Sequence, residues 1–396
     1  MKILNVIASM HPEHGGTSQG VRNAIPALAT FGLENEVVCM DDPDAEFIKA
    51  DDFVIHALGN SKGPWQYQEK LLPWLLNNIA NYQRIIIHGL WLYHSYAVNK
   101  AIDQYKRTNK SVNTPAVYIM PHGMLDPYFQ QASTRKLKAL RNWLYWKLIE
   151  NKVVNGAEGM FFTCEEELKL ARIPFSPYRP KSEWNVGYGI PQPPAFHVTM
   201  WGQLVEKFPQ ISKDGYWLFL SRVNEKKGID LLVQAYLNLK KKGNLKIPQL
   251  VVAGPGLETT FGQHVQHVAA SEKDIIFTGM LEGDMKWGAI YGAQAFVLPS
   301  HQENFGIAVV EALACTKPVL ISNQVNIWRE IEALDGGIVE SDTLEGATIM
   351  LEKWAVLSDG HKQRMAEQAL AVYHNYFTIE QAAKRMAQAL KSLKYA

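Results

Sequence analysis

The chain has 396 residues, room for roughly two or three domains at about 150 residues each. Hydrophobic residues make up 47% and charged residues 20%, a globular composition that excludes long disordered tracts. Forty Lys and Arg against 39 Asp and Glu give a net charge of +1, which excludes the broad basic surface of a dedicated nucleic-acid binder.

The first apolar run, residues 3–8, ends in Ser9-Met10-His11-Pro12-Glu13-His14-Gly15-Gly16-Thr17 and leads into helical spacing over 20–31. Further apolar runs at 36–40, 53–57, 84–88, 116–120 and 159–163 read as strands, with helical segments at 66–80 and 94–106 between them. Short apolar strands separated by helices are the pattern of a parallel sheet covered on both faces. The pattern restarts at 217–221 and continues through 249–253, 274–278, 295–299 and 318–322. These runs alternate with helical segments at 228–242, 258–270, 285–291 and 306–315. Between the halves, Tyr188-Gly189-Ile190-Pro191-Gln192-Pro193-Pro194 breaks regular structure. The expectation is two doubly wound α/β domains, 1–195 and 196–378, and a last helix over 379–396 that could pack on either.

Residues 133–154 read as one helix carrying Arg135, Lys136, Lys138, Arg141, Lys147, Trp143 and Trp146. Leu137, Leu140, Leu144 and Leu148 share a face, which predicts that this face is core. The cations and tryptophans would also suit an anionic membrane surface. No apolar run is long enough to span a bilayer, and no signal-peptide pattern opens the chain. Cys39, Cys164 and Cys315 form no CxxC pair, so a cytoplasmic location is expected, peripheral at the inner face of the plasma membrane if that helix docks.

Three loops could carry chemistry. Gly15-Gly16, between a strand and a helix, would let backbone amides approach an anion. Arg222-Val223-Asn224-Glu225-Lys226-Lys227-Gly228 follows a strand, and its two outer cations could clamp a diphosphate. Ser300-His301-Gln302-Glu303-Asn304-Phe305-Gly306-Ile307 enters a helix that carries Glu311, so it pairs helix-start amides with two carboxylates. His122, in Pro121-His122-Gly123, ends a further strand. Asp42-Pro43-Asp44 fits a short metal-binding DxD pattern, but such triplets are common and this one sits early.

Taken together, Gly15-Gly16, His122-Gly123, Arg222…Lys227-Gly228 and Glu303…Glu311 resemble the retaining GT-B glycosyltransferases of family 4, the group 1 enzymes of bacterial polysaccharide synthesis. The resemblance implies two Rossmann-like domains facing a central cleft, an N-terminal acceptor domain and a C-terminal domain for a nucleotide-sugar donor. It implies that the last helix crosses back to the first domain. Arg222 and Lys227 would contact the donor diphosphate, Glu311 the ribose, and Glu303 and His122 the transferred sugar. Asn304, Phe305, Gly306 and Ile307 would lie near sugar and phosphate, and Gly15 and Gly16 would approach the diphosphate. Gly254, Met280 and Leu281 would lie near the nucleotide. His122 could hydrogen-bond either a sugar hydroxyl or developing charge. The implied reaction moves a hexose, UDP-glucose being the first donor to consider, to a glycan or lipid-linked acceptor, with neither metal nor cofactor. A sugar-nucleotide epimerase, a metal-dependent GT-A transferase and a non-catalytic sugar-binding protein are the rival readings.

Overall fold

The protein, described here as a computed structural model, is defined over residues 1–108, 114–131, 135–243 and 245–392. It divides into two compact units. The first is Met1–Gly189 joined by the C-terminal stretch from Ile379, and the second is Ile190–Thr378.

The first unit is built on seven parallel strands: β1 (Lys2–Ile7), β2 (Glu34–Cys39), β3 (Ile55–Ala57), β4 (Arg84–His88), β5 (Ala116–Met120), β6 (Gly159–Phe162) and β7 (Glu183–Asn185). Their order is β3-β2-β1-β4-β5-β6-β7. Successive side chains on a strand point to opposite faces, and both faces are covered. Leu4, Val6, Ile85 and Ile87 pack under the helices Leu71–Asn78 and Tyr93–Thr108. Ile3 and Ile86 face the opposite way, against Leu28 of the helix Gly16–Ala29 and Met386, Ala389 and Leu390 of the helix Ile379–Ser392. The last helix therefore belongs to the first unit, and Lys391 Nζ ties its end to Phe31 O at 2.8 Å.

The second unit repeats the plan with β8 (Tyr216–Leu220), β9 (Gln249–Ala253), β10 (Ile275–Gly279), β11 (Ala293–Leu298), β12 (Val319–Ser322) and β13 (Gly337–Glu340). These strands are also parallel, in the order β10-β9-β8-β11-β12-β13. Trp217, Phe219, Val251, Phe296, Val297 and Leu320 are completely buried in it.

Two expectations need correction. The units part at Gly189/Ile190, earlier than 195/196. Residues after the break are held by the second unit: Ile190 N donates to Phe377 O (2.9 Å) and Tyr291 OH to Pro194 O (2.7 Å). The leucine face of 133–154 is not core. The helix Lys136–Tyr145 and its continuation turn Asn142, Trp146 and Glu150 inward, while Leu137, Leu140, Leu144 and Leu148 are exposed. Trp146 stacks on Phe175 at 4.8 Å. Glu150 Oε1 accepts hydrogen bonds from Trp91 N (2.8 Å) and Ser95 Oγ (2.6 Å). Burial pushes the Glu150 carboxyl up to about 7. A polar inner face anchored by a large ring defeats the rule that the apolar stripe faces the core. Residues 133 and 134 of this segment lie outside the described residues.

Candidate functional site

In an open α/β sheet the chain leaves neighbouring strands in opposite directions at one point, and the strand ends there frame a crevice. In the second unit that point lies between β8 and β11. After β8 the chain passes Ser221, Arg222 and Val223 to Asn224, whose Oδ1 accepts from Lys226 N at 3.0 Å and starts the single turn Glu225–Lys227. Gly228 closes the turn at φ 64°, where a Cβ would meet Pro299 O at 2.0 Å. Lys226 O accepts from His301 N (2.8 Å) and Ser300 Oγ (2.9 Å). The loops after β8 and β11 are therefore fastened to each other.

This fastening brings two of the expected residues into contact: Lys227, a buried lysine, forms an ion pair through Nζ with Glu303 Oε2. The Glu303 backbone is fixed in turn, its N–H donating to Gln324 O and its carbonyl accepting from Asn326 N, both at 2.9 Å. Arg222 is exposed and forms no ion pair among the described residues. Gly306, at φ 78°, opens the helix Ile307–Ala314, whose first-turn amides have no carbonyl partner inside the helix and sit at its positive end. The Phe305 side chain is buried edge-on to Phe377 at 5.5 Å, so only its backbone is placed to meet a ligand. Asn304 lies between Glu303 and Phe305, half-buried.

Glu311 has a partner that the sequence did not suggest. Lys286 Nζ lies 2.7 Å from its Oε1 and also 4.3 Å from the centre of the Trp287 ring. The pair holds a half-buried carboxylate in one orientation on the helix. Met280 and Leu281 follow β10; Met280 is exposed, and the Leu281 side chain is buried. Gly254, at the end of β9, has φ 145°, and a Cβ there would lie 1.9 Å from Ser221 O. Gly254→Ala is expected to cost about 3 kcal/mol or more in urea unfolding, because strain and a backbone clash coincide. Gly202→Ala, which adds its methyl to open space inside the helix Val198–Lys207, should instead stabilise by about 0.5–1 kcal/mol.

In the first unit the corresponding reversal lies between β1 and β4. Gly15 (φ 73°, ψ −133°) caps the helix Gly16–Ala29 in a conformation open only to glycine, and the Tyr188 hydroxyl donates to Gly16 O. Asp41 secures the loop, accepting from Ser9 Oγ (2.6 Å) and Met10 N (2.7 Å). His122 lies past the end of β5 in a left-handed turn with Gly123 (φ 51° and 81°). Glu167 Oε1 accepts from Gly123 N at 2.5 Å and holds that turn.

His122 belongs to a polar chain that runs into the sheet. Its Nε2 lies 3.1 Å from His88 Nδ1, and His88 Nε2 lies 3.1 Å from Asn5 Oδ1. Asn5 Nδ2 donates to Asn35 Oδ1 (3.1 Å) and Glu36 O (3.3 Å). A carbonyl can only accept, so the Asn5 amide nitrogen is identified and Asn5 Oδ1 must accept from His88. Burial holds His88 well below the ordinary histidine value, and His122 down to about 4. Both rings are neutral. With its proton on Nε2, His88 accepts at Nδ1, so His122 donates from Nε2 and keeps its lone pair on Nδ1.

Asp42 and Asp44 are exposed. Asp42 Oδ1 accepts from Asp44 N (2.9 Å), and Asp44 pairs with Lys49 at 3.2 Å. Among the described residues no three His, Cys, Asp or Glu side chains converge as a metal site.

The profile described as glycosyl transferases group 1 matches residues 203–370. This segment, less than half of the chain, is similar to the group 1 glycosyl transferases. It holds Arg222, Lys227, Gly254, Glu303 and Glu311, whereas Gly15 and His122 lie outside it. The chain is 28% identical over 186 residues to the lipopolysaccharide 1,2-N-acetylglucosaminetransferase of Salmonella typhimurium, covering 44% of this chain and 48% of that protein. It is 27% identical over 150 residues to the O-antigen chain mannosyltransferase B of Escherichia coli, 38% of each. It is also 31% identical over 121 residues to an uncharacterised glycosyltransferase of Methanocaldococcus jannaschii, 31% of this chain and 30% of that one. The chain thus spans less than half the length of each of these relatives.

Solved structures match the fold over its whole length. A glycosyltransferase from Rickettsia africae superposes with a TM-score of 0.72 at 16% identity, covering 99% of both chains. Anabaena HepE in complex with UDP gives 0.71 at 15% identity, covering 99% of this chain and 100% of that one. The fold is the GT-B type, two parallel-sheet Rossmann-like domains.

Within the matched segment, the Lys286–Glu311 pair makes a definite expectation. Glu311→Ala should weaken nucleotide binding by about tenfold, the loss of one charge-assisted hydrogen bond. Lys286→Ala should weaken it less, by freeing the carboxylate to rotate. Isothermal titration with UDP reads both, and unchanged affinity in Glu311→Ala would remove this residue from the nucleotide site.

Proposed function

We propose that the chain is a retaining hexosyltransferase that moves sugar from a nucleotide diphosphate donor, with UDP-glucose as the first candidate, to a hydroxyl of a glycan or lipid-linked glycan in surface-polysaccharide synthesis. The observation that carries this reading is the meeting of Lys227, Glu303 and the start of the helix Ile307–Ala314 at the β8/β11 reversal, with Arg222 on the same loop. That is a cationic, amide-rich place for a departing diphosphate, with a carboxylate beside it for sugar hydroxyls. Its relatives' names, an N-acetylglucosaminetransferase and a mannosyltransferase of lipopolysaccharide and O-antigen, favour a polysaccharide acceptor. The UDP and UDP-glucose named in the HepE structures favour a uridine donor.

In the proposed reaction the acceptor oxygen bonds the anomeric carbon on the face the donor occupied. The bond from that carbon to the diphosphate oxygen breaks, and the acceptor proton passes to the departing phosphate. Arg222 and Lys227 stabilise the charge left on the diphosphate, the work a metal ion does in other transferases. The Nδ1 lone pair of neutral His122 suits it to accept a hydrogen bond from a sugar hydroxyl rather than to stabilise negative charge.

A donor panel tests the reading: thermal shift and slow hydrolysis with UDP-, GDP- and ADP-linked hexoses, with and without chelator. Stabilisation by one nucleotide series and hydrolysis that survives chelation are expected. Absence of binding to every nucleotide sugar would overturn it.

A further inference from the structure

The helix Lys136–Tyr145 and its continuation Trp146–Glu150 expose an apolar stripe. Leu137, Leu140, Leu144 and Leu148 are 85%, 57%, 47% and 69% exposed. At 100° per residue Leu137, Leu140 and Leu144 lie within one narrow sector, Leu148 follows in the π-helical turn Trp146–Glu150, and Asn142, Trp146 and Glu150 are the buried residues of the same stretch. Isolated surface leucines are ordinary, but a contiguous row of four on one helix is an interaction surface.

The charges around the row select its partner. Exposed Lys136, Lys138, Arg141 and Lys147 lie along the same stretch as the row. The only carboxylate between residues 135 and 152 is Glu150, which is buried. Arg141 reaches only the neighbouring Asn142 Oδ1, and Lys147 reaches Ser176 O, so among the described residues neither is neutralised by an acid. The whole chain carries a net charge of +1, so this concentration of unopposed cations is local. Trp143, half-exposed beside the row with Lys147 5.8 Å from its ring centre, adds the amphipathic ring that favours a water–hydrocarbon boundary.

We infer that this helix docks the protein on an anionic lipid bilayer, its leucines entering the headgroup–acyl boundary and its lysines and Arg141 meeting lipid phosphates. An isologous dimer through the same face would set these cations against their own copies at close range, so a second copy fits less well than an anionic surface. Among the described residues no helix is long and apolar enough to cross a membrane. The Lys and Arg stems are long enough to lie along the apolar surface and raise their charges to the phosphates. The inference is independent of the transfer reaction: it requires only the helix.

The test is flotation of the full-length protein with vesicles of phosphatidylglycerol and phosphatidylcholine, and with pure phosphatidylcholine vesicles. Wild type should float with the anionic vesicles, less so at high salt, and weakly with the neutral ones. Leu137→Ser/Leu144→Ser/Leu148→Ser should lower the partition coefficient at least tenfold, and Lys136→Gln/Lys138→Gln/Arg141→Gln should abolish the preference for anionic lipid. Both variants should keep the wild-type melting temperature and donor hydrolysis, because no buried or site residue changes. Equal flotation by the leucine variant and wild type would overturn the inference. So would a wild type that ignores vesicles but elutes as a dimer that the leucine substitutions dissociate. Failure of the donor panel with intact flotation would strike the transfer reading alone.

Discussion

Lys227→Ala should reduce turnover by roughly a hundred- to a thousandfold, the range seen when one preorganised donor to a developing anion is removed. Arg222→Ala should lower turnover comparably, but the two variants should differ in stability. Lys227 is buried and pairs with Glu303, so its loss strands a partly desolvated carboxylate, at a cost of about 1–3 kcal/mol. Arg222 is exposed and forms no ion pair among the described residues, so its removal should stay within about 0.5 kcal/mol. Adding Glu303→Ala to Lys227→Ala should restore part of the lost stability and none of the turnover. Donor hydrolysis together with urea unfolding separates these effects. Near-wild-type turnover in both single variants would remove the diphosphate role from this loop.

The Lys227–Glu303 pair also bears on how the site waits for substrate. The pair holds both side chains in place before a ligand arrives. In the proposed reaction, a diphosphate arriving at the loop would compete with Glu303 for the same ammonium, leaving the carboxylate to turn toward sugar hydroxyls. On that reading, binding and orientation of the two donor halves would be linked through one ion pair.

Much of this arrangement was legible in the sequence because it depends on contiguous residues. Apolar runs such as Ile85-Ile86-Ile87 have no solvated face, which already implies a sheet covered on both sides. The glycines at 228, 254 and 306 mark loops where backbones approach closely or turn left-handed. Less legible were β7 and β13, short edge strands of which only one side is paired and whose side chains are half-buried. Lys286 was invisible because its partner lies 25 residues away and the two meet only after the helices Gly283–Gly292 and Ile307–Ala314 pack. The leucine row misled because periodicity reports that a face is apolar, not what covers it. At this helix the inward face is held by one tryptophan, an asparagine and a buried glutamate.

His88 gave no signal beyond being a polar residue at the end of a buried strand, yet its removal should have the second large effect. The ring takes a proton donor's place toward Asn5 and an acceptor's toward His122, and only one neutral tautomer does both. His88→Leu abolishes the acceptor, so His122 is free to carry its proton on either nitrogen and to rotate. Turnover should fall roughly ten- to a hundredfold, about 1.4–2.7 kcal/mol in the barrier, with UDP affinity within twofold. His88→Gln offers an amide donor and a carbonyl acceptor and should recover part of the loss. Nitrogen-15 shifts should show a protonated Nε2 in wild-type His122 and a mixture in His88→Leu. The pH dependence follows from the same burial. The folded values of His94 and His122 lie at about 4, below the ordinary 6.5, so between these limits the unfolded chain binds more protons. Stability is complete above about pH 6.5 and is lost as pH falls toward 4, by on the order of 3 kcal/mol for fully buried His94. Turnover, by contrast, should show no inflection near 6.5 from His122, because that ring remains neutral throughout the working range. An inflection there that disappears in His122→Asn would show that the ring is protonated as it works, and would overturn its assignment as a hydroxyl acceptor.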